Sequence, residues 1–312
     1  MTGTVPNPGD ISEPTLVYDR IGTNKRQTWL MMLLFVVVAG GFATIIGLVV
    51  GLPIYAAPFI IAALVVYALF SYYASASVAL AVSSAHPVTK EEEPDLYRVV
   101  ENLSIGSGLP MPKVYVIEDS APNAFATGRD PQHASVTATR GLLNKLDKSE
   151  LEGVIAHEMS HVGNYDIRVM TITVVLVGII ALLADLFMRW TWFGAGSRSS
   201  NRDRGGAFAA LAILAIVLAI LAPIAAQLIQ LAISRQREYL ADASGALLCR
   251  NPDALARALE KISADPEPLK EANKATAHLY FSNPLHDHSS FLNNLFSTHP
   301  PVAERIRLLR AM

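Results

Sequence analysis

Apolar residues along this chain gather into four long runs, at about Trp29–Val50, Ala56–Val82, Met170–Met188 and Ala207–Ile233. Each is long enough to cross a hydrocarbon core of about 30 Å, and charge is nearly absent from all of them. Asp185 is the one carboxylate inside a run, close enough to its end to reach the headgroup region, and Pro223 is expected to kink the fourth helix. Only Gly51–Tyr55 separates the first two runs, so they are predicted to form a tight hairpin. The organisation expected is a polar tail (1–28), a membrane hairpin (29–82), a soluble block (83–168), a second hairpin (169–233) and a second soluble block (234–312).

Within the first soluble block the periodicity changes. Leu96, Val99, Val100 and Leu103 recur at helical spacing across 94–104. Residues 113–118, 123–127 and 134–139 read as strands, the last two separated by the turn-rich Gly128–Pro131. A short helical turn is expected at 142–146, and a longer helix opening with Asp147 or Ser149 as its cap. The remainder, from Ser234 on, reads as helical with loops.

Composition agrees with a membrane protein: of 312 residues, 52% are hydrophobic and 17% charged. The first run is too long for a signal-peptide core and follows a mixed polar stretch, so it is expected to be retained. A net charge of −2 and the lack of a basic aromatic patch argue against nucleic-acid binding. Cys249 is the only cysteine, which excludes an internal disulfide and fits a reducing compartment.

Chemistry enters at His157-Glu158-Met159-Ser160-His161. Histidines four apart on a helix share a face, so both imidazoles reach one metal ion, and the glutamate between them stands beside a metal-bound water. The plain alternative is a surface helix carrying two unrelated histidines. The charges around the motif keep it out of hydrocarbon, yet Met170 lies only about 14 Å further along if the helix is continuous, so the metal is expected near the membrane surface. A catalytic zinc takes three protein ligands and leaves one position open. Glu238, just past the fourth run, is the candidate third ligand; the alternative is a surface glutamate paired with Arg235 or Arg237. Asp242, four residues on, is placed to accept the remaining N–H of a ligating histidine, or is a simple helix-surface aspartate.

HEMSH at 157–161, SRQREYLADASGA at 234–246, NAFATG at 123–128 and STHPPVAERI at 297–306, threaded among four spans, resemble the HtpX-type membrane zinc metalloproteases, relatives of the CaaX prenyl endopeptidases. The resemblance implies a mainly α fold with a small β-sheet, four transmembrane helices and a zincin-like (gluzincin) catalytic domain on the cytoplasmic side of the cell membrane. It implies one Zn2+ per subunit held by His157, His161 and Glu238, with Glu158 as catalytic base and Asp242 behind the ligands. It also implies a role in degrading damaged membrane proteins. Asn123, Ala124, Phe125 and Ala126 resemble the family's edge strand, which would pair with an extended substrate; an internal hairpin strand is the alternative. Family analogy brings His299 and Arg305 to the cleft, to stabilise an oxyanion or orient Glu238; on sequence alone, the alternative for each is a structural role. His286-Asp287-His288 reads as a solvated loop.

Basic residues near the run ends favour a cytoplasmic catalytic side, although Arg189, Arg198, Arg202 and Arg204 crowd the opposite loop. The expected partners are polypeptide substrates, unfolded or from membrane proteins, and the lipid bilayer. Rival readings are a CaaX-type processing peptidase, which needs further spans, and a non-enzymatic membrane scaffold or chaperone.

Overall fold

The computed structural model describes residues 17–49, 53–178, 235–269, 279–282 and 300–312. The fourth apolar run, most of the third with Asp185, Pro223, the loop 189–204, His286–His288 and His299 lie outside the described residues.

Helix α1 (Val17–Val49) begins ahead of the apolar run that opens at Trp29, so the last part of the expected polar tail is helical too. Helix α2 (Ala57–Val82) returns beside it, with Trp29 stacked on Tyr72 and Phe35 near Tyr67, an antiparallel pairing. Leu33, Val37, Phe59, Val66 and Phe70 point outward and exposed from this hairpin. Among the described residues one helical stretch, Ile54–Val82, is long and apolar enough to cross a membrane. The expected four spans therefore extend beyond what the described residues contain.

The chain then forms β1 (His86–Pro87), α3 (Pro94–Ser107), β2 (Lys113–Ile117), β3 (Ala124–Gly128), β4 (Ala134–Thr139), α4 (Arg140–Lys145) and α5 (Lys148–Gly163). Proline at the start of α3 and left-handed Gly108 at its end bound the helix, and the four periodic residues are all buried. The sheet order is β1-β2-β4-β3, with β2 and β4 parallel and the other pairs antiparallel, which leaves β3 at an edge. Val99, Val116, Val136 and Ile155 share the core that joins α3, the sheet and α5. Asp147 caps α5 in a reciprocal box with Glu150, which fixes where the motif-bearing helix starts and so the phase of its histidines.

The helix that carries the histidine motif is not continuous with the third run. The chain turns at Asn164–Tyr165, where Tyr165 has φ +61°, before helix α6 (166–178) resumes. Helices α7 (Arg235–Cys249), α8 (Pro252–Ser263) and α9 (Val302–Leu309) follow among the described residues.

Helix α7 lies directly on α5, and Gly245 is what lets it. A β-carbon there would stand 2.8 Å from the His157 amide nitrogen and 3.0 Å from its Cα, against backbone that has no room to yield. Gly245→Val is expected to push α7 off α5 at a cost of about 1–3 kcal/mol. A lowered urea midpoint together with weaker metal uptake would be the signature; an unchanged midpoint would contradict this account of the contact.

Candidate metal centre

The two imidazoles project from α5, and Glu238 comes from the first turn of α7. His157 and His161 bring their Nε2 atoms to 3.2 Å of one another. The Glu238 carboxylate stands 3.7 Å from His157 Nε2 and 3.5 Å from His161 Nε2. All three residues are buried, and their donor atoms lie within 4.8 Å of one another. Ligands on a tetrahedral ion with bonds of about 2.1 Å are separated by about 3.4 Å, so this donor set fits a small divalent cation closely.

Each imidazole is backed by its own carboxylate. Asp166 Oδ2 is 3.1 Å from His161 Nδ1. Asp242 Oδ1 is 3.0 Å from His157 Nδ1, without the alignment of a formed hydrogen bond. Carboxylates facing Nδ1 select the tautomer protonated there, which leaves each Nε2 lone pair directed at the metal position. Asp242 is gripped in turn by Arg305, whose Nε and Nη2 donate to its two oxygens at 2.8 and 2.7 Å. The Arg305 guanidinium also donates to the Phe281 carbonyl at 3.3 Å and stands over the Phe281 ring, whose edge meets His157.

Sequence reasoning passed over Asp166 as one more charge flanking the motif. On an unbroken helix a residue five beyond His161 points about 140° away from it. The turn at Asn164–Tyr165 reverses that, and it is legible only in three dimensions. Phe281 also carried no signal in the sequence. Of the edge-strand residues, Phe125 is fully buried against Tyr280. Asn123 exchanges hydrogen bonds with the Ser282 backbone, and the Ala124 carbonyl accepts from the Phe281 N–H at 2.8 Å.

Burial raises the Glu158 pKa to about 7, with neighbouring Glu238 adding to the rise. His157 is pushed down to about 4 by burial, against the pull of Asp242. For His161 burial acts downward as well, but Asp166 and Glu238 outweigh it and raise the pKa to about 9. With neutral imidazoles, Glu158, Asp166, Glu238 and Asp242 exceed Arg237 and Arg305 by two negative charges, the amount a divalent cation offsets. The raised pKa values of His161 and Glu158 run in the direction that offsets this excess, and a cation at the same position would favour release of those protons.

Two histidines one helical turn apart, an adjacent buried glutamate and a second glutamate from another helix, grouped so that they could hold a metal ion, define a metallopeptidase site. The sequence pattern of peptidase family M48 matches residues 90–312, and the chain belongs to that family. It is 48% identical over 297 residues to a protease HtpX homolog of Tropheryma whipplei (strain TW08/27), covering 95% of this chain and 99% of that protein. A protease HtpX homolog of Dictyoglomus thermophilum (strain ATCC 35947 / DSM 3960 / H-6-12) is 45% identical over 303 residues, covering 96% of each chain. Among solved structures, S. mikatae Ste24p superposes with a TM-score of 0.47 at 21% identity, covering 89% of this chain and 61% of that one.

Burial would raise the Asp242 pKa, but the charge and hydrogen bonds of Arg305 override it and hold it at about 2. That lies below the ordinary aspartate value of about 3.9, so Asp242 contributes stability above that value and loses the contribution as pH falls through about 2. Arg305→Ala strands a buried carboxylate and is expected to cost about 3–5 kcal/mol at neutral pH. It should also reverse the sign of this pH dependence, because burial alone then favours the protonated acid. Urea unfolding of the metal-free protein between pH 2 and 7 measures both effects, and parallel curves for the two proteins would refute the pairing's role.

Proposed function

We propose that the protein is a membrane-bound, zinc-dependent endopeptidase that works at the cytoplasmic face of the cell membrane and cuts damaged or misfolded membrane proteins. The observation that carries this reading is the convergence of His157, His161 and Glu238 at separations matching tetrahedral coordination of one ion. Zinc, one ion per chain, is favoured by its nitrogen and carboxylate donor set and by the charge deficit around it. When bound, it supplies a Lewis acid that acidifies water and polarises a carbonyl.

The protein's own groups then do the proton work. Glu158, buried beside the two imidazoles, takes a proton from the attacking water and delivers it to the leaving amine nitrogen. Asp166 holds His161 in the metal-directed tautomer, and Asp242, facing His157 Nδ1 at 3.0 Å, favours the same tautomer there. Arg305 acts through Asp242, and His299 is assigned the oxyanion by family resemblance. An extended substrate adds to the edge of β3, the strand carrying Asn123 beside its start. Ala124 already accepts from Phe281, and the Gly128 N–H donates to Thr171. Ala126, between these two in the strand, is therefore the register position where the substrate backbone meets the site.

The membrane assignment rests on the apolar, outward-facing surface of the α1–α2 hairpin and on the runs beyond the described residues. Segments loosened from the bilayer are the substrates that such a placement favours.

Glu158→Gln should retain one zinc per chain while casein cleavage falls by at least about 10²–10⁴-fold. Glu238→Ala should lose the metal itself. Metal analysis beside a casein assay separates the two, and undiminished cleavage by Glu158→Gln would remove Glu158 as the base. A wild-type protein that binds zinc without cleaving any polypeptide would favour the scaffold reading.

A further inference from the structure

The polar start of α1 is packed against the metal centre. Asn24 is 4% exposed, and its amide nitrogen donates to the Asn164 carbonyl at 2.8 Å and to Asp166 Oδ1 at 2.7 Å. Both amide hydrogens are thereby used, one on the turn that ends α5 and one on the carboxylate behind His161. Asp166 is itself 1% exposed, and its second oxygen faces His161 Nδ1. One turn along α1, Gln27 accepts from Arg237 Nη2 at 2.6 Å, and Arg237 Nε stands 3.5 Å from Asp166 Oδ1. Arg237 directly precedes the ligand Glu238. Thr28, fully buried, donates its hydroxyl to the Asn24 carbonyl, and Lys25 lies over the Tyr165 ring. The Arg168 guanidinium stacks over Tyr72 of α2 and lies over Trp29 of α1.

These contacts form one connected set. It runs from α1 through Asn24 and Asp166 to His161, and from α1 through Gln27 and Arg237 to the start of α7. A carboxylate backing a ligating histidine is useful only while its own orientation is fixed. Asp166 has one oxygen for His161, so the other must be held elsewhere, and Asn24 holds it.

We propose that Asn24 is a positioning residue of the metal centre, acting through Asp166 on His161, and that with Gln27 it makes the start of α1 part of that centre as well as part of the hairpin. Hairpin and site are thus mechanically joined: a displacement of α1 releases the carboxylate that fixes His161 and the arginine beside Glu238. The proposal rests on the reading of His157, His161 and Glu238 as metal ligands.

The test uses the full chain in detergent or nanodiscs, with Asn24→Leu, Asn24→Gln and Gln27→Leu. Leu33→Ala, on the exposed apolar face of α1, serves as the control expected to match wild type. Zinc affinity is read by competition with a chromophoric chelator, ligand geometry by the visible spectrum of the cobalt-loaded protein, and kcat and KM on casein. Asn24→Leu should weaken zinc binding by about 10–100-fold, alter the cobalt spectrum and lower kcat more than KM changes. Asn24→Gln, which keeps both donors, should recover part of each loss. Gln27→Leu should move all three readouts the same way but less, and it decides the matter if Asn24→Leu does not fold. Unaltered zinc affinity and cobalt spectrum in a folded variant would overturn the proposal alone. A wild-type chain that takes up neither metal would overturn the metal reading and this proposal together.

Discussion

The structure around the metal centre depends on keeping a cluster of like charges buried. Glu158, Asp166, Glu238 and Asp242 all lie inside the protein, within a short distance of two imidazoles. Four carboxylates there would expel one another and draw in water unless each were matched. Arg305 clamps Asp242 through two hydrogen bonds, Arg237 and Asn24 share Asp166, and the remaining excess is offset by protons or by a cation. Several elements supply parts of this balance: α5 the imidazoles and Glu158, α6 Asp166, α7 Glu238 and Asp242, α9 the guanidinium and α1 the amide.

Close backbone approach is the second requirement. Glu238 and Asp242 reach His157 only because Gly245 lets α7 rest on the α5 backbone. The turn at Asn164–Tyr165 then has a chemical consequence beyond redirecting the chain. It folds Asp166 back under His161, and the same turn offers the Asn164 carbonyl to Asn24. A local departure from helix thus connects the histidine-bearing helix to the hairpin.

The edge of β3 shows how tightly the site is enclosed. Its position outside β4 leaves outward-facing amide groups beyond the sheet ladder, yet all five residues of the strand are buried, Phe281 takes the Ala124 carbonyl and Thr171 the Gly128 N–H. Phe281 also lies between Arg305 and His157, so a residue with no motif around it touches the wall of the centre from two sides.

Much of this was legible before any coordinates. Period-two and period-3.6 patterns marked α3, β2, β3 and β4 because those elements each bury one face or both, and composition follows burial. The histidine pair and Asp147 cap were legible because spacing along one helix sets their geometry. Asp166, Asn24 and Phe281 were not, since each acts across contacts between segments far apart in the chain or across a break in a helix. Local periodicity encodes which face of an element is apolar, and that information resides in neighbouring residues. Which buried carboxylate backs which imidazole is decided by where whole helices come to rest on one another, and only the assembled tertiary structure holds that.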